Sequence, residues 1–356
     1  MTVTPKTPPA NAPVTAPANK NKVNLEKKDY SGSASTLCTG CGHDSITAHI
    51  ITATYQNGIH PYQIAKMSGI GCSSKTPAYF MSKSFGFNSM HGRMAPVTTG
   101  AKVVNGSLHM IGMSGDGDTA SIGVGGFTHL IRRNVQMCYI VANNGVYGLT
   151  KGQFSATADK GAKQKSGAYN PFDTIDICSL ALTLGCTFVA RSFSGDAKQL
   201  VPLLQAAQKH RGTALIDVIS PCITFNNHDG STKSYTYVRE HDVSLQELGL
   251  VQPMEEIKVD YREGSTQRVQ MPDGSELILK KLGANEHSVS DKINALKLLQ
   301  ESANAGQILT GLFYINESSP SLNEELNLVS EGLFELNESQ LKPSKTQFEE
   351  ILADFL

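Results

Sequence analysis

The sequence predicts an α/β fold, a mainly parallel sheet flanked by helices, and three observations carry that prediction. Between about residues 31 and 240, short apolar runs of strand length alternate with helix-length segments, the order expected of a parallel sheet covered on both faces. One apolar run, 108–113, leads into Gly115-Asp116-Gly117, and another, 135–141, leads into Asn143-Asn144. After about 240 the pattern changes to closely spaced alternating runs and turns, so a small β-meander with a helix is expected to extend the first region.

In order along the chain, residues 1–30 begin MTVTPKTPPANAPVTAPANKNK and are Pro/Ala/Lys-rich. They lack the apolar core of a secretory signal and are expected to form a disordered leader. The stretch 45–54 (SITAHIITAT) reads as a helix. Runs 108–113 and 135–141 read as strands, the second a continuous apolar segment of the kind that is buried. Between them, 120–131 is a glycine-rich helix candidate, with Arg132 and Arg133 suited to its C-terminus. Residues 151–170, rich in Gly, Ser and Lys, read as a long loop of the lid type. A helix over 175–184, a strand over 187–190, a helix over 197–210 and a strand over 214–219 complete this region, 31–240. In the extension, 241–356, three alternating runs at 257–261, 268–271 and 277–279 form the expected meander. Residues 288–291 (SVSD) read as a capping box before a helix carrying Ile293, Leu296 and Leu299. The remainder is polar and suited to a subunit interface.

Composition narrows the function. A hydrophobic share of 40% with 18% charged residues describes a globular chain with a sizeable core. The formal net charge of −1 gives no electrostatic case for nucleic acid or an anionic membrane. No apolar stretch approaches the ~20 residues of a membrane helix. Seven cysteines, an odd number with two of them spaced as CxxC, favour a metal site in a reducing compartment over a disulfide framework. Cytoplasmic location is expected.

The two polar turns carry the first chemistry. Asp116 and Asn144 lie 28 residues apart. A carboxylate in a glycine turn and an amide oxygen on a second loop suit a hard cation such as Mg²⁺, which keeps several coordination positions for water and phosphate. Gly123, Gly125 and Gly126 let backbone N–H groups approach a diphosphate at a helix start. Each turn alone is ordinary. Together, at this spacing, they resemble the thiamine-diphosphate motif.

The cysteines carry the second. Cys38-Thr39-Gly40-Cys41, Cys72 in GIGCSSK and Cys222 in SPC stand on Gly/Pro-marked loops where thiolates can converge. Four thiolates satisfy a [4Fe–4S] cluster or a structural zinc ion equally by count. Cys138, Cys178 and Cys186 lie in apolar surroundings and read as core residues.

With CTGCGH at 38–43, GIGCSSK at 69–75, HGR at 91–93, GDGD at 115–118, NNGVYGLTKGQ at 143–153 and SPC at 220–222, the chain resembles the β subunit of 2-oxoacid:ferredoxin oxidoreductases. The resemblance spans 38–240 with the motifs in unbroken order. The C-terminal VDYREG, MPDGS and TGLFYI segments are similar to β subunits assigned to 2-oxoglutarate. The resemblance implies oxidative decarboxylation of a 2-oxo acid with coenzyme A to acyl-CoA, CO₂ and reduced ferredoxin. It implies thiamine diphosphate, Mg²⁺ and one [4Fe–4S] cluster as cofactors. By position, Cys38, Cys41, Cys72 and Cys222 match the cluster ligands. Asp116, Asn144 and the Val146 carbonyl match the Mg²⁺ ligands. Ile70, Gly71, Cys72, Ser73, His91, Gly117, Asp118, Gly148 and Leu149 fall in segments around thiamine diphosphate, and Lys75 and Leu149 match positions facing the 2-oxo acid. The carboxylate that engages the aminopyrimidine has no counterpart motif here. The resemblance assigns it to an α subunit in an αβ or α₂β₂ assembly, which also carries the coenzyme A site, with ferredoxin as electron acceptor. The residues alone leave two alternatives: a non-redox thiamine-dependent decarboxylase subunit with structural zinc, and a non-catalytic regulatory subunit.

Overall fold

The apolar runs become the middle of a nine-stranded sheet in the computed structural model, which describes residues 20–164, 167–224, 258–270, 276–283 and 286–355. The chain forms α1 (Gly42–Asn57), β1 (Ile64–Ser68), β2 (Phe85–Asn88), α2 (Met94–Val104), β3 (His109–Gly115), α3 (Val124–Arg132) and β4 (Met137–Asn143). Two short strands follow, β5 (Val146–Tyr147) and β6 (Gln153–Phe154), then α4 (Ile177–Thr183), β7 (Phe188–Phe193), α5 (Ala197–Lys209) and β8 (Thr213–Ile219). The C-terminal part supplies β9 (Thr266–Gln270), β10 (Glu276–Lys281), α6 (Lys292–Asn304) and β11 (Ile308–Ile315).

The sheet order is β2-β1-β3-β4-β8-β7-β11-β10-β9. Its first six strands are parallel. β11 joins antiparallel to β7, β10 runs parallel to β11, and β9 closes the edge antiparallel to β10. Every residue of β4, β7 and β8 is buried, as expected of a parallel sheet covered on both faces. The period of two is visible in β4. Met137, Tyr139 and Val141 enter one apolar layer with Phe127, Leu130, Ile177, Leu182 and Leu299. Cys138, Ile140 and Ala142 enter the opposite layer with Ile46, Ile50, Leu200 and Leu204. Cys178 and Cys186 are also fully buried.

Several expectations are corrected. The leader does not extend to 30. Residues 1–19 lie outside the described ones, but Asn21 donates its side-chain amide to Tyr30 Oη at 2.7 Å and to the Tyr55 carbonyl at 2.9 Å. Tyr30 is fully buried, because its ring packs edge-on against Tyr55 beneath α1. The helix expected over 120–131 is divided at Gly123 into a π-helical turn, Gly117–Ile122, and α3. The Gly123 N–H is taken by the Asp118 carbonyl at 2.8 Å, which ends the first turn. The meander has two strands among the described residues rather than three: 258–261 forms none, and 257 lies outside them. The helix after 291 is capped by Asp291 alone, whose side chain accepts the Asn294 N–H at 2.9 Å. The C-terminal extension continues the main sheet, with β11 between β7 and β10.

Candidate active site

β3 and β4 are adjacent and parallel, with Gly115 opposite Ala142. Asp116-Gly117 and Asn143-Asn144 therefore leave the sheet side by side at the C-terminal ends of the strands, where open α/β sheets bind ligands. Asp116 is 1% exposed. Its carboxylate accepts the Asn144 N–H at 3.4 Å, the Gly145 N–H at 3.1 Å, the Thr157 hydroxyl at 2.6 Å and the Ser155 hydroxyl. Asn144 Oδ1 accepts the Val146 N–H at 3.1 Å, an Asx turn that fixes the amide over the same loop. A carboxylate, an amide oxygen and a nearby carbonyl make an all-oxygen set of the kind a hard dication takes.

One cleft brings these residues together with the others named from the sequence. His43, Ile70, Gly71, Cys72, Ser73, Gly117, Asp118 and Gly148 line it beside Asp116, Asn144 and Val146. Gly71 has φ +90° and open space where a side chain would project, so its backbone faces the cleft unshielded. Gly117 has no such room: the Tyr147 ring lies where its Cβ would stand, and Tyr147 Oη donates to the Gly117 carbonyl at 3.1 Å. Asp118 accepts the Gly92 N–H at 2.6 Å and the Ser114 hydroxyl at 2.7 Å, pinning the turn before α2 to the turn after β3.

Of the residues matched by resemblance to the thiamine diphosphate surroundings or the 2-oxo acid, three stand outside the cleft lining. His91 is exposed, because Asp118 holds the backbone of its neighbour Gly92 and leaves the imidazole outward. Leu149, just beyond Gly148, is 48% exposed. Lys75 is half-buried in the short helical segment Cys72–Ala78, and its charge acts on the Cys72 thiol.

The four cysteines of the second constellation share one neighbourhood at the cleft's edge. Burial first, with Cys222, Asp44 and Cys38 adding to it, pushes the Cys41 thiol up to about 12. Cys72 is raised by burial and then by the same two neighbours, Cys222 and Cys38. His43, in the first turn of α1 just after Cys41, places Nδ1 2.7 Å from Ser220 Oγ and so ties the start of α1 to the loop carrying Cys222. Burial lowers the His43 imidazole to about 4, keeping it neutral. Among the described residues, no three His, Cys, Asp or Glu side chains are grouped as the ligands of a single metal ion would be.

A family model described as the C-terminal TPP-binding domain of thiamine pyrophosphate enzymes matches residues 66–218. The 2-oxoacid:ferredoxin oxidoreductase subunit beta of Sulfolobus sp is 36% identical over 291 residues, covering 81% of this chain and 84% of that one. This chain belongs to the β subunits of the 2-oxoacid:ferredoxin oxidoreductases. The 2-oxoglutarate synthase subunit KorB of Methanocaldococcus jannaschii is 36% identical over 190 residues, 53% of this chain and 70% of its own. Among solved structures, a 2-oxoglutarate:ferredoxin oxidoreductase from Magnetococcus marinus, with 2-oxoglutarate, coenzyme A and succinyl-CoA bound, superposes with a TM-score of 0.69. It is 30% identical and covers 93% of this chain and 96% of that chain.

The thiamine-diphosphate domain of this β subunit thus contains the loop at Gly71, the GDG turn and the Asn pair. A β subunit implies an α partner. Among the described residues no helix is long and apolar enough to cross a membrane. Four groups went unread in the sequence: Ser155 and Thr157 on Asp116, Tyr147 against Gly117, and a buried chain from Asn143 to Arg191. Asn143 donates to Asp217 at 3.0 Å, and Arg191 Nε donates to Asp217 at 2.8 Å and its guanidinium to Asp176. The only sequence trace of the first pair is an SAT tripeptide a few residues after the Asn turn, which carries no specific signal.

Proposed function

We propose that this chain supplies the cofactor half of an enzyme that oxidatively decarboxylates 2-oxoglutarate with coenzyme A, passing the electrons to ferredoxin. The observation that carries this is a single cleft lined by Cys72 together with Asp116 and Asn144. A redox cluster on Cys38, Cys41, Cys72 and Cys222 would stand at the edge of the diphosphate site, close enough to receive electrons released there. Bound thiamine diphosphate supplies a nucleophilic carbon able to add to a 2-oxo acid and to stabilise the electrons left when CO₂ departs.

The chain's own residues hold and shield that chemistry. Asp116, Asn144 and the Val146 carbonyl would hold Mg²⁺ against the diphosphate, with the Gly71 backbone open to it. Lys75, a compact cation beside Cys72, would orient the carboxylate or stabilise charge developing on the carbonyl oxygen of the 2-oxo acid. Both carboxylates in the cleft are engaged within the chain, Asp116 as above and Asp118 by Gly92 and Ser114. That supports a partner α subunit as the source of the carboxylate for the aminopyrimidine. The preference for 2-oxoglutarate rests on the Magnetococcus marinus structure and on the relatives named 2-oxoglutarate synthase.

The test is reconstitution. The assembled α and β subunits should reduce ferredoxin only when 2-oxoglutarate and coenzyme A are both present, and the β chain alone should not. Full turnover by the isolated β chain with an artificial acceptor would refute the shared site. Faster turnover of other 2-oxo acids would refute the substrate.

A further inference from the structure

Asp116 Oδ2 takes three donors at once: the Gly145 N–H at 3.1 Å, the Thr157 hydroxyl at 2.6 Å and the Ser155 hydroxyl. Three donors exceed the two lone pairs of a carboxylate oxygen, so Oδ2 is fully engaged within the protein. Oδ1 takes the Asn144 N–H at the longer distance of 3.4 Å. The carboxylate is therefore held asymmetrically.

The two hydroxyls are themselves fixed. Ser155 is 6% exposed and Thr157 1%. The Ser155 N–H donates to the Gly145 carbonyl at 3.1 Å, and the Ala156 N–H to Ser121 Oγ at 3.1 Å. Behind Thr157, Asn143 Oδ1 lies 2.9 Å from its hydroxyl oxygen, and Asn143 Nδ2 donates to Asp217 at 3.0 Å. A carboxylate only accepts, so Asp217 determines which way the Asn143 amide faces. Arg191 Nε fixes Asp217 in turn at 2.8 Å. Thr157 has one proton for two acceptors, and the nearer, charged oxygen of Asp116 takes it.

We propose that Ser155 and Thr157 are positioning residues that hold Asp116 Oδ2 back, so that the carboxylate offers a diphosphate-bound cation one oxygen only. This selects a small octahedral ion, Mg²⁺ or Mn²⁺, over Ca²⁺. Ca²⁺ takes 6–8 oxygens and readily uses both oxygens of a carboxylate, whereas Mg²⁺ demands a near-ideal octahedron. The inference rests on the magnesium reading above and adds which residues make the site selective.

The test uses the full chain assembled with its α partner. Thiamine diphosphate binding is titrated by calorimetry with Mg²⁺, Mn²⁺ or Ca²⁺ as the sole dication. The wild type should bind more tightly with Mg²⁺ or Mn²⁺ than with Ca²⁺. Thr157→Val, which keeps the shape and removes the hydroxyl, should shrink that preference. Adding Ser155→Ala should shrink it further, to a total of about 10- to 100-fold, the usual effect of groups that orient a metal ligand. Thr157→Ser should restore the wild-type ratio, which a purely structural role would not require. An unchanged Mg²⁺/Ca²⁺ ratio in a folded Thr157→Val protein would overturn the proposal. Wild-type binding that ignores chelators would instead remove the metal reading itself, and the selectivity with it.

Discussion

The Asn144 N–H points at Asp116 Oδ1 across 3.4 Å, joining the ends of two neighbouring parallel strands that lie 28 residues apart in sequence. That contact brings the acidic turn and the amide turn together at one end of the sheet. Only three oxygens, from Asp116, Asn144 and Val146, are then proposed to face the cation, and one carries charge.

Asp116→Ala removes that charge and leaves an amide and a carbonyl to hold a dication against water. Thiamine diphosphate affinity in Mg²⁺ should fall by at least about 100-fold, the upper range for groups that only orient a ligand. The visible absorbance of the cluster should remain, since the cysteines stand on other loops. Calorimetry showing wild-type affinity would contradict the assignment of Asp116.

Lys75→Ala should lower kcat/KM for the 2-oxo acid by about 10- to 150-fold, the value of a charge-assisted hydrogen bond of roughly 1.5–3 kcal/mol. Cofactor content should not change. Lys75→Arg should recover only part, because a planar guanidinium replaces a compact ammonium. Wild-type kinetics in Lys75→Ala would make the lysine a bystander and refute its role.

Arg191 is buried between Asp217, which is fully buried, and Asp176. Burial works against the Asp176 charge, but Arg191 and the Ser179 N–H together outweigh it and hold the carboxyl below its usual range. Arg191→Met should cost about 3–5 kcal/mol of stability, because it leaves buried charge without a counter-ion. Arg191→Met combined with Asp217→Asn should cost less than the sum of the two single changes. Additive losses in thermal or denaturant unfolding would show that the pair is not coupled.

His43 gives a pH dependence. Its folded pKa of about 4 lies below the ordinary 6.5 because burial disfavours the imidazolium. Below pH 6.5 the unfolded chain therefore takes up a proton that the fold refuses, and stability falls as pH drops from 6.5 towards 4. The loss attributable to this group is roughly 3 kcal/mol over that window. His43→Asn, which keeps a polar group facing Ser220, should flatten the acid side of the stability curve. Unfolding midpoints that fall equally steeply in both proteins would rule His43 out as the source.

The sequence made the site's endpoints readable because they are local. GDG and NN each sit at the end of an apolar run, and the run 137–143 shows its two faces by simple alternation. What it hid is either short or non-local. β1 and β2 are IAKMS and FGFN, too short to show a period, and β1 buries a lysine in its middle. Lys66 donates to the distant carbonyls of Phe80 and Met81, at 2.8 and 3.1 Å. β11 finds its place between β7 and β10 by register across more than a hundred residues on one side, which no local pattern encodes. Ser155 and Thr157 reach Asp116 from 39 and 41 residues away in a loop whose composition suggested a lid. Hydroxyls there look like any polar loop until the fold brings them to a buried carboxylate.

The central claim is that Cys38, Cys41, Cys72 and Cys222 hold a redox cluster at the edge of the thiamine-diphosphate cleft. Metal analysis and visible spectroscopy of the α–β complex purified without oxygen test it most directly. The expected result is brown protein with about four irons per β chain in excess of any bound by the partner. Its broad absorbance should bleach when 2-oxoglutarate and coenzyme A are added, and Cys72→Ala should lose it. Colourless protein carrying one zinc ion per β chain would contradict the account.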